Sequence, residues 1–233
     1  MSSYRKNNLK VKSQSLGNIF IEPRVSDKKD IESAKIVLYP APFDSELTPV
    51  AVEWAAGTQV PFFCHVQQLS KLRIEGFGSY RFQRLDTFKE VDFLAGSIEF
   101  FPSRNKKFGG VRGWLQEFKE ILGFKNIPGF HLIIKPRKEA TVLFLSHPYI
   151  DHIEWSLISK SDPLAIIGAE NFSRETWQEL SQKFKRPILY AADVSVVDTQ
   201  NRVVEFVSDA EEKHYSRISQ NTENVSTVSE KNI

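Results

Sequence analysis

Short apolar runs, each cut off by a proline, a glycine or a polar turn, recur along this chain of 233 residues. Lys35-Ile36-Val37-Leu38-Tyr39 and Leu164-Ala165-Ile166-Ile167-Gly168 are apolar without alternation, the pattern of strands covered on both faces. Asn18-Ile19-Phe20-Ile21 stops at Glu22-Pro23, Val60 to Cys64 runs into His65, and Ser97 to Phe101 stops at Pro102. Phe130 to Ile134 and Thr141 to Leu145 read as strands a hairpin apart, and Pro187 to Tyr190 and Arg202 to Val207 as two more. Helical patterns fall between them: Leu47 to Ala56 with Thr48 as a cap before Pro49, Val66 to Ile74, 111–122, Trp155 to Ser159, and a helix to Phe184 opened by Ser173. Buried strands alternating with covering helices predict a layered α/β (α+β) domain.

The ends read differently. Residues 1–16 are polar and basic, and 208–233 are rich in Ser, Asn, Thr and Glu. Both are expected to be disordered tails, because they offer too little apolar surface to offset the entropy of ordering. The folded domain is then 17–207. Lys plus Arg is 31 against 29 for Asp plus Glu, a net charge of +2. That balance argues against a dedicated nucleic-acid binder, a reading that would rest only on Arg104, Lys106, Lys107 and Arg112. No run is long enough to span a bilayer, and no apolar leader opens the chain. The single thiol, Cys64, cannot form an internal disulfide. These features predict a soluble, cytoplasmic protein.

Several catalytic patterns are missing. There is no Gly-x-Ser-x-Gly elbow, and Gly76-Phe77-Gly78 lacks the third glycine of a phosphate loop. Cys64 and His65 are adjacent, which on a strand sends their side chains to opposite faces. His65 and His131 read as structural residues of strands, and His214 falls in the tail. The string His147-Pro148-Tyr149-Ile150-Asp151-His152 stands out, directly after the strand Thr141 to Leu145. Two imidazoles and a carboxylate within six loop residues can converge on one metal ion. The plainer reading is a polar loop whose side chains cap backbone groups.

That string resembles the His-x-His-x-Asp-His signature of the metallo-β-lactamase superfamily, with Tyr149 in place of the second histidine. A second alignment to the same superfamily covers about residues 17 to 195. In it, Ala34 to Tyr39 resembles the strand that delivers the signature, and Pro40-Ala41-Pro42-Phe43-Asp44-Ser45-Glu46-Leu47 stands where the signature belongs. Pro40 and Pro42 replace the first two histidines, Asp44 matches the aspartate, and Ser45 replaces the last histidine. Phe101-Pro102-Ser103-Arg104 resembles the Thr-Pro-x-x-His loop without its histidine. His147 falls near the place of the bridging aspartate. Asp162 to Gly168 resembles the strand that follows in the UlaG-like branch, and Pro187 to Asp193 the strand before a last histidine that is absent. Residues 103–128 look like an insertion carrying the amphipathic helix, which serves as packing, lid or partner-docking element.

The resemblance implies a four-layer αββα sandwich whose metal ligands are mostly replaced. It therefore implies a diverged, non-catalytic member, a pseudoenzyme of hydrolase-like fold without a cofactor, that binds a protein or small molecule. The rival it leaves open is a metal-dependent hydrolase with a displaced site. There His147, Asp151, His152 and Asp44 would hold zinc or another divalent metal, and Asp151 would orient a water.

Overall fold

The computed structural model describes residues 8–41, 47–65, 82–85, 90–103, 129–150 and 152–207, with the backbone alone at 47–48 and 152–153. In chain order its first elements are β1 (Leu9–Ser13), β2 (Gly17–Ile21), α1 (Lys28–Ser33), β3 (Ala34–Tyr39), α2 (Leu47–Gly57), β4 (Phe62–Cys64) and β5 (Phe82–Arg84). Then come β6 (Glu90–Phe93), β7 (Gly96–Pro102), β8 (Phe130–Pro136), β9 (Val142–Leu145), α3 (His152–Ile158), β10 (Ala165–Gly168) and α4 (Arg174–Phe184). The described chain closes with β11 (Leu189–Tyr190), β12 (Val194–Asp198) and β13 (Val203–Phe206).

The strands form two mixed sheets. One runs in the order β13-β12-β1-β2-β3-β4-β5, the other β11-β10-β9-β8-β7-β6. Their facing sides interdigitate: Ile19, Ile21, Ile36, Leu38 and Phe63 from the first sheet share one buried cluster with Ile98, Phe100, Leu132 and Phe144 from the second. Phe63 stacks on Phe100 at 5.8 Å between ring centres. Outside the first sheet, Ala51, Trp54 and Ala55 of α2 cover Phe20, Val37, Tyr39 and Phe62. Outside the second, Trp155 of α3 stacks on Phe184 of α4 at 4.3 Å. A Cβ on Gly168 would stand 2.3 Å from the Trp177 ring, so a bare backbone there is what lets α4 lie on the sheet. The result is the four-layer αββα sandwich.

The uninterrupted apolar runs at β3, β9 and β10 are nearly wholly buried, as strands flanked by layers on both sides must be. Ser173 caps α4, accepting from the Thr176 N–H at 3.3 Å. Two expectations change. α2 begins at Leu47, so Thr48 lies inside the helix; Pro49 is tolerated because a first-turn N–H has no helical partner. The reading of 1–16 as a disordered tail fails for residues 8–16. β1 lies between β2 and β12, antiparallel to one and parallel to the other. Leu9, Val11 and Ser13 point inward in strict alternation, and the intervening lysines disguise a central strand as a polar tail. The helices expected at 66–74 and 111–122, most of the segment 103–128, residues 1–7 and the tail 208–233 lie outside the described residues.

Candidate functional site

In open α/β sheets, ligand sites gather outside the carboxyl ends of parallel strands. Here β2, β3 and β4 run parallel, as do β9 and β10, and the ends of both groups meet at one rim. The Phe130 N–H donates to the Pro40 carbonyl at 2.9 Å, joining the two sheets where β3 ends. A Cβ on Gly129 would meet Ser146 Oγ at 2.8 Å and the Pro40 oxygen at 3.2 Å, so the seam closes only around glycine. Ser103 donates from both its N–H and its hydroxyl to the Gly129 carbonyl, at 2.8 Å each. Ser146 Oγ is buried and has no hydrogen-bond partner among the described residues.

His147 follows Ser146. Its ring lies 4.6 Å from Tyr149 and 4.6 Å, edge-on, from Phe172, which in turn packs on Trp177. The imidazole is thus part of the aromatic packing beneath α4. Its Nδ1 accepts the Tyr149 N–H at 3.4 Å, and burial pulls its pKa down to about 4. With Nδ1 as the acceptor, the tautomer consistent with this contact has its proton on Nε2. Nearby, fully buried His131 on β8 sits 3.6 Å from Glu154 Oε1 of α3, beyond hydrogen-bond reach, and neither of its nitrogens has a hydrogen-bond partner among the described residues. Burial first, and then the His147 charge, lower its pKa to about 3.

A charged row runs along the same rim. Glu22 is 7% exposed and holds a left-handed φ of 45° directly before Pro23, a conformation that costs on the order of 1 kcal/mol in a residue with a side chain. Arg24 Nε reaches Glu170 Oε2 at 3.4 Å, linking the end of β2 to the end of β10. The Tyr190 hydroxyl donates to the Glu170 carbonyl at 3.4 Å, beneath the Arg174 guanidinium at 5.1 Å. Arg174 itself forms a two-pronged pair with Asp193. Burial, then the Glu170 carboxylate, raise the Tyr190 pKa, so this hydroxyl stays protonated as a donor. Cys64, at the end of β4, is likewise pushed up by burial and stays a thiol.

Of the residues singled out as metal ligands, the structure describes only His147, and its ring is turned into the aromatic layer. Asp44, Asp151 and the side chain of His152 lie outside the described residues. Pro40 follows the end of β3 as expected, and its carbonyl oxygen accepts the Phe130 N–H. Among the described residues no three His, Cys, Asp or Glu side chains converge as metal ligands must. The described residues of this rim do not by themselves fit the metal centre that the resemblance implies. Sequence reasoning missed Glu154, Arg24, Glu170 and Tyr190; no spacing signals partners that lie 146 residues apart, as Arg24 and Glu170 do.

No family model matches the chain. No curated protein sequence matches it either. Solved structures do. An isothiocyanate hydrolase from Delia radicum gut bacteria superposes with a TM-score of 0.50 at 9% identity, over 84% of this chain and 85% of that one. A possible metal-dependent hydrolase from Veillonella parvula DSM 2008 gives 0.44 at 12% identity, over 80% and 81%. A B3 metallo-β-lactamase with an active-site glutamic acid gives 0.36 at 11%, over 80% and 69%. At such identities likeness speaks to the fold alone. The layer order, the two mixed sheets and the first superposition define the class: a four-layer αββα sandwich, the architecture that the resemblance to the metallo-β-lactamase superfamily implies. No helix among the described residues is long and apolar enough to cross a membrane.

Proposed function

We propose that this chain is a diverged metallo-β-lactamase-like protein, nearest the UlaG-like branch, that acts without a hydrolytic metal centre by binding a small molecule at the rim. The observation that carries the reading is the state of His147. It is neutral, held between Tyr149 and Phe172, and uses Nδ1 as an acceptor, so the strongest metal-ligand candidate in the sequence is spent on packing. The charged side chains along the rim are matched in pairs, Arg24 with Glu170 and Arg174 with Asp193.

A second reading, hydrolysis at a displaced metal site around His147–His152, is favoured by one observation. His131 Nε2 and Glu154 Oε1 stand 3.6 Å apart without a hydrogen bond between them. Two ligands of one tetrahedral zinc, each at ~2.0–2.1 Å, lie ~3.4 Å apart. Elemental analysis of the purified chain separates the readings, run beside a His147→Ala/His152→Ala double variant and a His131→Gln variant. The expected result is no near-stoichiometric metal in any sample. Near-stoichiometric zinc, manganese or iron that vanishes in either variant would overturn the binding reading and call for a screen of ester and phosphoester hydrolysis.

A further inference from the structure

The end of the sandwich away from the rim, where β2, β3 and β4 begin, is a braced platform of turns. The Arg137 N–H donates to the Ala95 carbonyl at 2.8 Å, which sets the β6–β7 turn beside the β8–β9 turn. The Ala140 N–H donates to the Thr199 carbonyl at 3.1 Å, which joins the β12–β13 turn to them. Glu139 accepts from Ser15 and Thr199 and brings in the β1–β2 turn. Side chains carried on these turns are therefore presented on a rigid support.

What the platform presents is apolar at one tip and basic beside it. Leu94, at the β6–β7 turn, is 102% exposed, as bare as in an extended chain. Phe93 before it is turned inward, 6.1 Å from the Phe63 ring, so the hairpin holds Leu94 outward. Arg137, Lys138 and Arg202 are exposed, and none of their side chains has an ion pair or hydrogen bond among the described residues. Lys138 and Arg202 hold left-handed φ values of 62° and 57°, where glycine or asparagine would form the turn at less cost. Long cations at such positions do nothing for the fold. The carboxylates of this end are already engaged: Glu139 in the turn network, and Asp198 with Lys12 and Asn201. The exposed Glu90 and Asp92 lie back along β6. Cations therefore prevail at this end, although the net charge of the whole chain is only +2.

We infer that this end docks on an anionic phospholipid surface, with Arg137, Lys138 and Arg202 against the lipid phosphates and Leu94 entering between the headgroups. Cations alone would suit any polyanion, a nucleic-acid backbone included. A bare leucine on a rigid tip gains only where apolar depth lies behind the anionic layer. Neither signal holds a protein on a bilayer by itself, and the two together do so reversibly. The inference concerns the opposite end from the rim and is independent of what the rim binds.

The test is co-sedimentation of the full chain with vesicles of phosphatidylcholine alone and of equimolar phosphatidylcholine and phosphatidylserine, with a duplex DNA oligonucleotide titrated in parallel. Binding is expected to the mixed vesicles and not to phosphatidylcholine alone, and it should weaken as salt is raised. Arg137→Gln/Lys138→Asn/Arg202→Asn keeps the turns, because asparagine tolerates a left-handed φ, and should weaken mixed-vesicle binding about a hundredfold, at about fivefold per cation. Leu94→Ser removes the apolar tip and should weaken it about tenfold with the salt dependence unchanged. If the triple variant proves unfolded by circular dichroism, Leu94→Ser decides alone, since its side chain touches nothing that folding needs. No binding to the mixed vesicles, equal binding to both vesicle types, or affinities unmoved in the folded variants would overturn the assignment. So would binding to duplex DNA tighter than to vesicles and indifferent to Leu94→Ser, which would give the surface to nucleic acid instead.

Discussion

At the turn end of the sandwich one carboxylate gathers the chain, whereas at the rim end the buried side chains of His131 and Ser146 have no hydrogen-bond partners among the described residues. Glu139, in the turn between β8 and β9, accepts from the Ser13 hydroxyl, the Gln14 N–H, the N–H and hydroxyl of Ser15, and the Thr199 hydroxyl. It therefore ties the β8–β9 hairpin of one sheet to the β1–β2 turn and the end of β12 in the other. Beside it, Asp198 accepts from Lys12 and Asn201. At the rim, His131 and Ser146 have no such partners among the described residues. An unsatisfied buried polar group costs about 1–3 kcal/mol, while a satisfied network fixes one conformation. The turn end is thus built for stability. The rim carries groups that stability alone does not use, which is the pattern expected where a fold serves a ligand.

Acid should break the rim before it touches the turn. His147 and His131 are neutral in the fold, with pKa values lowered to about 4 and about 3 from 6.5. Below pH 6.5 the unfolded chain takes up protons that the folded chain refuses, so stability is fully present above that pH and is lost as pH falls toward 4 and then 3. The loss between pH 7 and 4.5 should be on the order of 5 kcal/mol for the two imidazoles together, at about 1.4 kcal/mol per tenfold difference in proton affinity for each. Urea unfolding in metal-free buffer across that range measures it. His131→Leu should flatten much of the slope while leaving stability at pH 7 nearly unchanged. A wild-type stability that stays level down to pH 4.5 would show that the fold does not hold the two imidazoles neutral.

The carboxylates of the turn end titrate in a lower window. Hydrogen bonds from Ser15, Thr199 and Ser13 outweigh burial and hold Glu139 below its usual 4.5; the Asn201 N–H first, then Lys12, bring Asp198 to about 2 from 3.8. Their contribution is present above those usual values and is lost as pH drops through the lowered ones. Glu139→Ala removes an acceptor shared by Ser13, Gln14, Ser15 and Thr199 and should lower stability by about 2 kcal/mol at pH 7. Glu139→Gln should lose less, because an amide oxygen still accepts. Thermal melts of the two variants check the order. A Glu139→Ala melt equal to wild type would mean that water replaces the carboxylate and that the turn end carries no special load.

Much of this architecture was legible in the sequence because strands buried on both faces leave no polar alternation to confuse. Ile36 to Tyr39, Val142 to Leu145 and Ala165 to Ile167 are such runs, and each lies inside its sheet with a strand on either side. Ser173 announced α4 through the chemistry of its cap. β1 was disguised because its outward residues are Lys10 and Lys12, the same residues that make a tail look polar. α1 has no buried residue, so no apolar stripe marked it. The site was less legible than the fold. The string at His147 did fall at the rim, but the direction of its ring depends on Phe172, 25 positions away. The approach of His131 to Glu154, like the pairing of Arg24 with Glu170, is set by which elements lie side by side, and local spacing does not encode it.

The smallest expected effect gives the sharpest comparison. Ser13 and Ser146 are both buried serines at strand ends, 5% and 1% exposed. The Ser13 hydroxyl accepts the Leu16 N–H at 2.9 Å and donates to Glu139 at 3.1 Å, whereas the Ser146 hydroxyl has no partner among the described residues. Ser13→Ala strands a buried N–H and should cost about 1 kcal/mol. Ser146→Ala removes an orphan and leaves the β9 end beside Gly129 otherwise unchanged, so it should shift stability by less than about 0.5 kcal/mol. Paired urea melts read the difference directly. Equal losses in the two variants would mean that Ser146 is satisfied by an ordered water at the seam, and the rim would then follow the same rule as the turn end. A loss confined to Ser13→Ala would leave Ser146 as a hydroxyl held at the rim for some purpose other than stability.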